Sequence, residues 1–158
     1  PSDPADPAIN SVISSTHPID TVLAYDAAAG LWKTSARDAT SGLMVGDLTS
    51  VDSKSAMWIH TTTFQSLKVT PKTKIAQGAV LPKIDLSAGW NLVPVLKLDL
   101  GAADSTATVY LAGTSFTRAY KYDTLNSKFA AVAGGDTMGA GAGFWVYVPK
   151  AVSIIPAT

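Results

Sequence analysis

Gly141-Ala142-Gly143-Phe144-Trp145-Val146-Tyr147-Val148 is the stretch that decides how this chain folds. A glycine-rich turn leads into a run made only of aromatic and β-branched residues, the composition of a strand. Much earlier, Met57-Trp58-Ile59-His60 repeats the pattern with an indole at the same place. Working backwards from each strand, Gly135-Asp136 answers Gly46-Asp47. Further back, residues 102–129 align on residues 5–32 without a gap. That alignment sets Val109 on Val12, Tyr110 on Ile13, Tyr122-Asp123 on Tyr25-Asp26 and Phe129 on Trp32. Few positions are identical, so the correspondence rests on order and residue type.

Each copy therefore reads as a short helix, a strand ending in Tyr-Asp, a hairpin and a second strand. A loop with Gly-Asp, an indole-bearing strand and a final strand follow. Strands are expected near 21–25, 31–34, 56–62, 64–69, 90–96, 118–122, 128–132, 144–148 and 152–155, bounded by Gly, Pro, Asp and Ser. Helical spacing of Ile9, Val12 and Ile13 predicts a helix over 7–15. Ala107, Tyr110 and Leu111 predict another over 102–112, stopped by Gly113. The second copy opens with one more strand, Leu86-Ser87-Ala88-Gly89-Trp90-Asn91-Leu92-Val93, which has no counterpart in the first. The expected fold is mainly β (α+β): two related antiparallel-strand repeats, each with one short helix, packed side by side. The first repeat occupies 1–70, a Pro- and Lys-bearing connector 71–83, and the complete second repeat 84–158.

The Gly89-Trp90-Asn91-Leu92-Val93 strand, the Tyr122-Asp123 hairpin and the Gly141–Val148 strand together resemble a module of exported archaeal and bacterial proteins. It recurs in surface-layer-like and other large cell-surface proteins, often in tandem. The second copy matches most of the pattern. The first keeps Tyr25-Asp26, Trp32 and Trp58, but Asp52-Ser53-Lys54-Ser55 stands where the Gly-x-Gly is expected. The resemblance implies an architecture and carries almost nothing about activity.

Composition narrows the function classes. Of 158 residues, 47% are hydrophobic and only 15% charged, against roughly a quarter charged in ordinary domains. Twelve Lys and Arg balance twelve acidic residues, every one of them Asp, and Arg37 and Arg118 are the only arginines. Nucleic-acid binding needs a basic footprint that this sequence lacks. Zero net charge removes a barrier to self-association. No cysteine is present, and no apolar run approaches the roughly 18 residues of a membrane span. The start Pro1-Ser2-Asp3-Pro4, with no Met and no signal peptide, reads as a processed product or a piece of a longer precursor. No Asn-x-Ser/Thr sequon occurs.

Each residue pattern that resembles a catalytic or binding motif has a plainer role. Gly139–Gly143 is followed by a strand rather than by Gly-Lys-Ser/Thr and a helix, so it reads as a turn and not as a phosphate loop. His17 and His60 are the only histidines, and no spacing joins them to a third ligand. Asp26, Asp47, Asp123 and Asp136 fall at turns, where Asp caps backbone amides, with calcium binding as the alternative. No Gly-x-Ser-x-Gly or Glu-containing acid pair occurs. The expectation is a non-enzymatic chain with no catalytic residue, cofactor or metal ligand. Trp58, Trp90, Trp145 and Tyr122 are expected to hold the repeat cores. Tyr25 and Trp32, near a hairpin, are the candidate contact residues.

The leading functional expectation is a structural module of an extracellular assembly (surface layer, filament or virion shell). It would act by self-association through sheet edges, since a copy lacking its opening strand leaves an edge open. Its partners would be further copies, or an upstream or neighbouring segment of the same precursor. The alternatives are an adhesion module binding glycans or a host surface, and an accessory domain of a secreted hydrolase.

Overall fold

The computed structural model describes residues 3–64, 66–69, 83–96 and 103–155. The expected connector at 71–83 lies outside these residues apart from Lys83. The chain is mainly β, built from antiparallel strands with two helices of a single turn each. Among the described residues no helix is long and apolar enough to cross a membrane.

The first repeat runs α1 (Ile9–Val12), β1 (Ile19–Asp26), β2 (Leu31–Arg37), β3 (Met44–Gly46) and β4 (Met57–Thr61). Its sheet has the order β3-β2-β1-β4. The second repeat runs β5 (Ile84–Leu86), β6 (Gly89–Pro94), β7 (Ser105–Thr106), α2 (Ala107–Tyr110), β8 (Arg118–Asp123), β9 (Lys128–Ala131), β10 (Thr137–Met138), β11 (Gly143–Val148) and β12 (Val152–Ile154). Its main sheet has the order β6-β11-β8-β9, while β7 pairs with β10 and β5 with β12.

The same register recurs in both main sheets. Tyr25 faces Trp32 across the first hairpin, as Tyr122 faces Phe129 across the second. Leu23 faces Trp58 and Val22 faces Ile59, as Tyr120 faces Trp145 and Ala119 faces Val146. The turns are built alike as well. Asp26 Oδ1 accepts from Ala29 N at 3.0 Å, and Asp123 Oδ1 accepts from the equivalent Asn126 N at 3.2 Å. Both hairpins need a left-handed residue at the equivalent place, Gly30 at φ 69° and Ser127 at φ 49°.

Each sheet covers its own core. In the first, α1 lays Ile9, Val12 and Ile13 against Val22 of β1 and Met44 of β3. In the second, Tyr110 and Leu111 meet Phe144, Val146 and Val148 of β11 together with Ile84, Leu86 and Ile154. Arg37 ties the first repeat together, donating to the carbonyls of Ile19 (2.7 Å), Gly42 (2.6 Å), His17 (3.0 Å) and Ser14 (3.2 Å).

Four expectations need correction. The helices are much shorter than 7–15 and 102–112. Ser14 N donates to His17 Nδ1 at 3.0 Å, which ends the first before a second turn. The second closes on Leu111, and Gly113 takes φ 83° just beyond. The opening strand of the second repeat is two strands in different sheets. Gly89 at φ 101° turns the chain, and the buried Asn91 amide holds the corner by bonding Ser87 N (2.9 Å), Ser87 O (2.8 Å) and Gly89 O (3.1 Å). No strand forms over the described part of 64–69. A strand needs a ladder partner. The corresponding β12 pairs only with β5, which has no described counterpart in the first repeat. Fourth, Trp58, Trp90, Trp145 and Tyr122, expected in the repeat cores, lie outside both of them.

Candidate functional site

Alternation along β11 sends Phe144, Val146 and Val148 into the core and turns Trp145 and Tyr147 to the opposite face. Strand β4 places Trp58 in the same way. Trp58, Trp90, Trp145 and Tyr122 are therefore absent from both buried cores. They stand on the faces that the two sheets turn towards each other, and Tyr122 is 38% exposed.

There they form two reciprocal triads. Trp145 of the second repeat contacts Tyr25 and Trp32 of the first, with ring centroids 5.1 and 5.6 Å apart, and Tyr25 and Trp32 are themselves 5.3 Å apart. Trp58 of the first repeat contacts Tyr122 and Phe129 of the second at 4.8 and 5.7 Å, with 5.3 Å between the last two. All six contacts are edge-to-face, the arrangement that the ring quadrupole favours, each worth about 0.5–1.5 kcal/mol beyond area burial. Each triad takes a hairpin pair from one repeat and an indole from the other. Ala56 and Gly143, at equivalent positions before the two indole strands, also meet: a Cβ on Gly143 would lie 3.1 Å from Ala56 Cβ.

The first triad continues into an open aromatic groove. Trp90 packs on Tyr147 (5.4 Å), Tyr120 (5.9 Å) and Trp145 (6.4 Å). Tyr25, Trp32, Trp90, Tyr120, Phe129 and Trp145 line a groove of about 480 Å³. The two candidate contact residues are thus brought together, with Trp32 43% exposed.

A second cleft of about 540 Å³ lies between the repeats and is polar, with Asp26, Lys33, Asp47, Asp52, Lys54 and Asp85 on its walls. These groups serve the local structure. Asp26 pairs with Lys33 at 3.3 Å, Asp47 accepts from Thr34 N at 2.6 Å, and Asp52 accepts from Lys54 N at 3.0 Å. The Ala29 N–H and the Lys33 ammonium hold the Asp26 carboxyl below its ordinary range. The Ser153 hydroxyl and then Lys83 do the same for Asp85. A general acid requires the opposite shift.

The remaining candidates lie apart. His17 closes the turn after α1, and His60 Nδ1 sits 2.6 Å from Asp20 Oδ1 on the exposed surface. Asp136 accepts from Ala133 N at 3.1 Å. Among the described residues no three His, Asp or Glu side chains group in a way that could hold a metal. The 139–143 loop spends its amides on backbone: Gly141 N donates to Val95 O at 3.1 Å and Ala142 N to Gly139 O at 3.2 Å. In the first repeat Asp3 takes over this task, accepting from Ser53 N at 2.9 Å.

The other distinctive feature is an edge. β11 lies between β8 and β6, whereas β4 has β1 on one side and no described strand on the other. Ile59 of β4 is 37% exposed, while Val146, its counterpart on β11, is 0% exposed. Sequence reasoning missed the corner-holding Asn91 and the Tyr110 hydroxyl, which donates to Pro94 O at 2.7 Å and accepts from Leu96 N at 2.9 Å. An Asn inside a run of strand formers was the available signal for the first. The second depends on a contact distant in sequence and left none.

Compared with family models, curated proteins and solved structures, the chain finds no match.

Proposed function

We propose that this chain is a non-catalytic structural module of an extracellular or cell-surface assembly, joined to its neighbours through sheet edges. The observation that carries the reading is the open side of β4, where an apolar strand has its ladder satisfied on one edge only among the described residues. An unpaired edge offers a row of amides and carbonyls to another chain. The balanced, sparse charge of the sequence supports the same reading, since it offers little repulsion between copies. The downward shift of Asp26 and Asp85 favours structural over acid–base roles for these two carboxylates.

Sedimentation and electron microscopy of the purified chain over rising concentration test this. The expected result is association into oligomers or filaments, weakened by Ile59→Lys at the edge. A monodisperse monomer at every concentration overturns the reading.

The open aromatic groove supports a second reading, an adhesion module that stacks sugars or another flat ligand on Tyr25 and Trp32. A glycan array probed with the monomer and with Trp32→Ala separates the two. Binding that disappears with the substitution favours adhesion, and an empty array removes it.

A further inference from the structure

We infer that the first repeat is completed by a two-stranded extended segment of a neighbouring polypeptide, with the chemistry of Ile84–Pro94, laid along β4 and over its apolar face. The inference rests on the reading of the chain as an assembly module and names what its open edge takes. The second repeat shows the completed form, and four differences between the repeats point to the same missing piece.

The first is the edge itself, covered by β6 on β11 and by no described strand on β4. The second is the face. Phe144, Val146 and Val148 are fully buried in the cluster that contains Ile84, Leu86 and Ile154. Their counterparts Met57, Ile59 and Thr61 are half-buried, exposed and exposed. One added strand would pair the edge of β4 and leave this face open. Covering it as in the second repeat also takes a counterpart of β5.

The third difference lies after β4. Extending the alignment of Met57–His60 on Phe144–Tyr147 sets Leu67 on Ile154 of β12. Leu67 still packs against the first core, yet residues 66–69 form no ladder. The segment is in place and lacks the strand that β5 supplies to β12. The fourth is on the neighbouring sheet. β6 lies against β1, and Tyr25 at the end of β1 is half-buried. Its counterpart Tyr122 on β8 is 38% exposed.

The chemistry of the occupant follows from the template. It alternates apolar residues as Ile84 and Leu86 do, turns sharply at a residue with positive φ as Gly89 does, and carries an amide two residues later to hold the corner as Asn91 does. Its far end differs from the template. Tyr110 satisfies Pro94 O and Leu96 N, but Ile13 occupies the equivalent place and has no hydroxyl. The inserted segment therefore ends at the Pro94 equivalent or satisfies its own backbone beyond it. A second copy of this chain already has Ile84–Pro94 built into its own sheets. It could supply the segment only by stripping β11, so copies of this chain can pair with one another at β4 along the bare edge alone, and the two-stranded occupant comes from a different stretch of polypeptide.

The test uses a synthetic peptide with the sequence of residues 83–94, added to the full chain and followed by hydrogen exchange. Exchange of amides in 57–61 and in 66–69 should slow by about tenfold or more, as occupancy worth about 1.4 kcal/mol requires. Exchange in 143–148 should stay unchanged. Ile59→Lys on the chain should abolish the protection, with unchanged exchange in 143–148 reporting an intact second repeat. Protection of 57–61 alone would mean simple edge pairing, overturning the two-stranded occupant while leaving the assembly reading intact. No protection in a chain that still assembles overturns this inference alone. No protection in a chain that remains monomeric overturns both.

Discussion

The strands carrying Trp145 and Trp58 share their register with the hairpin on one side and differ in what lies on the other. β11 is a central strand with a layer of β5 and β12 beyond it, and its inward side chains are sealed. Among the described residues β4 is an edge strand, and its equivalent side chains grade from half-buried to exposed. The hairpin register and the reciprocal aromatic contacts are common to both, so they do not depend on the opening segment. The depth of burial does. Among the described residues the first repeat keeps the order of its hairpin and indole strands without counterparts of β5 and β6, and its core is less closed.

The comparison is most sharply broken by truncating equivalent residues. Phe144→Ala should cost about 4 kcal/mol, because a buried ring leaves a cavity in packed surroundings. Met57→Ala at the same place on β4 should cost about 1 kcal/mol, since that side chain is still in part hydrated. Equal losses in denaturant titrations of the two variants would remove the distinction.

The two Gly-Asp turns look alike in sequence and differ in space. A Cβ on Gly46 would drive into Thr34 O, where β3 closes on β2, whereas a Cβ on Gly135 meets nothing within 4 Å. Gly46→Ala should destabilise by about 3 kcal/mol through overpacking, and Gly135→Ala by less than about 0.5 kcal/mol. Thermal melts of the pair measure the contrast.

Tyr110→Phe should cost about 1–3 kcal/mol at neutral pH by leaving Pro94 O and Leu96 N without their buried partner. Burial pushes the Tyr110 phenol from 10.0 up to about 12, against the pull of the Leu96 N–H. The folded state thus favours the neutral phenol. The stability linked to this shift is fully present below pH 10.0 and drains away as the pH rises towards about 12. The gap between wild type and Tyr110→Phe should narrow over that window, which unfolding curves at stepped pH would follow.

The smallest expected effect is at the hairpins. Ser127 occupies the left-handed position that Gly30 fills in the first repeat. Ser127→Gly should stabilise by roughly 0.5–1 kcal/mol and Gly30→Ser should destabilise by a similar amount. A sign reversed at either site would show that the two turns are not built alike.

Much of this architecture is legible before any coordinates. Asp26 and Gly30, like Asp123 near Ser127, announce the hairpins through turn chemistry that acts over a few residues. Strand β11 announces itself through composition alone. What composition does not say is which face of that strand is the inside. Phe144, Val146 and Val148 alternate with Trp145 and Tyr147, and both sets are apolar. The larger rings suggested a core role that belongs instead to the smaller set. The break between β5 and β6 depends on a single glycine and an amide two residues away, inside a run that reads as one strand. The absence of a ladder over 66–69 depends on a partner distant in sequence, which no local pattern reports. Tyr25 and Trp32 flank a turn, which marks them as candidates for an exposed contact, whereas their meeting with Trp145 follows from the stacking of the two sheets.

Native-state hydrogen exchange on the isolated chain tests the contrast between closed and open repeats most directly. Amides of residues 143–148 should exchange only through global unfolding, and those of 57–61 through a far cheaper local opening. Equal protection of the two indole-bearing strands would contradict the account.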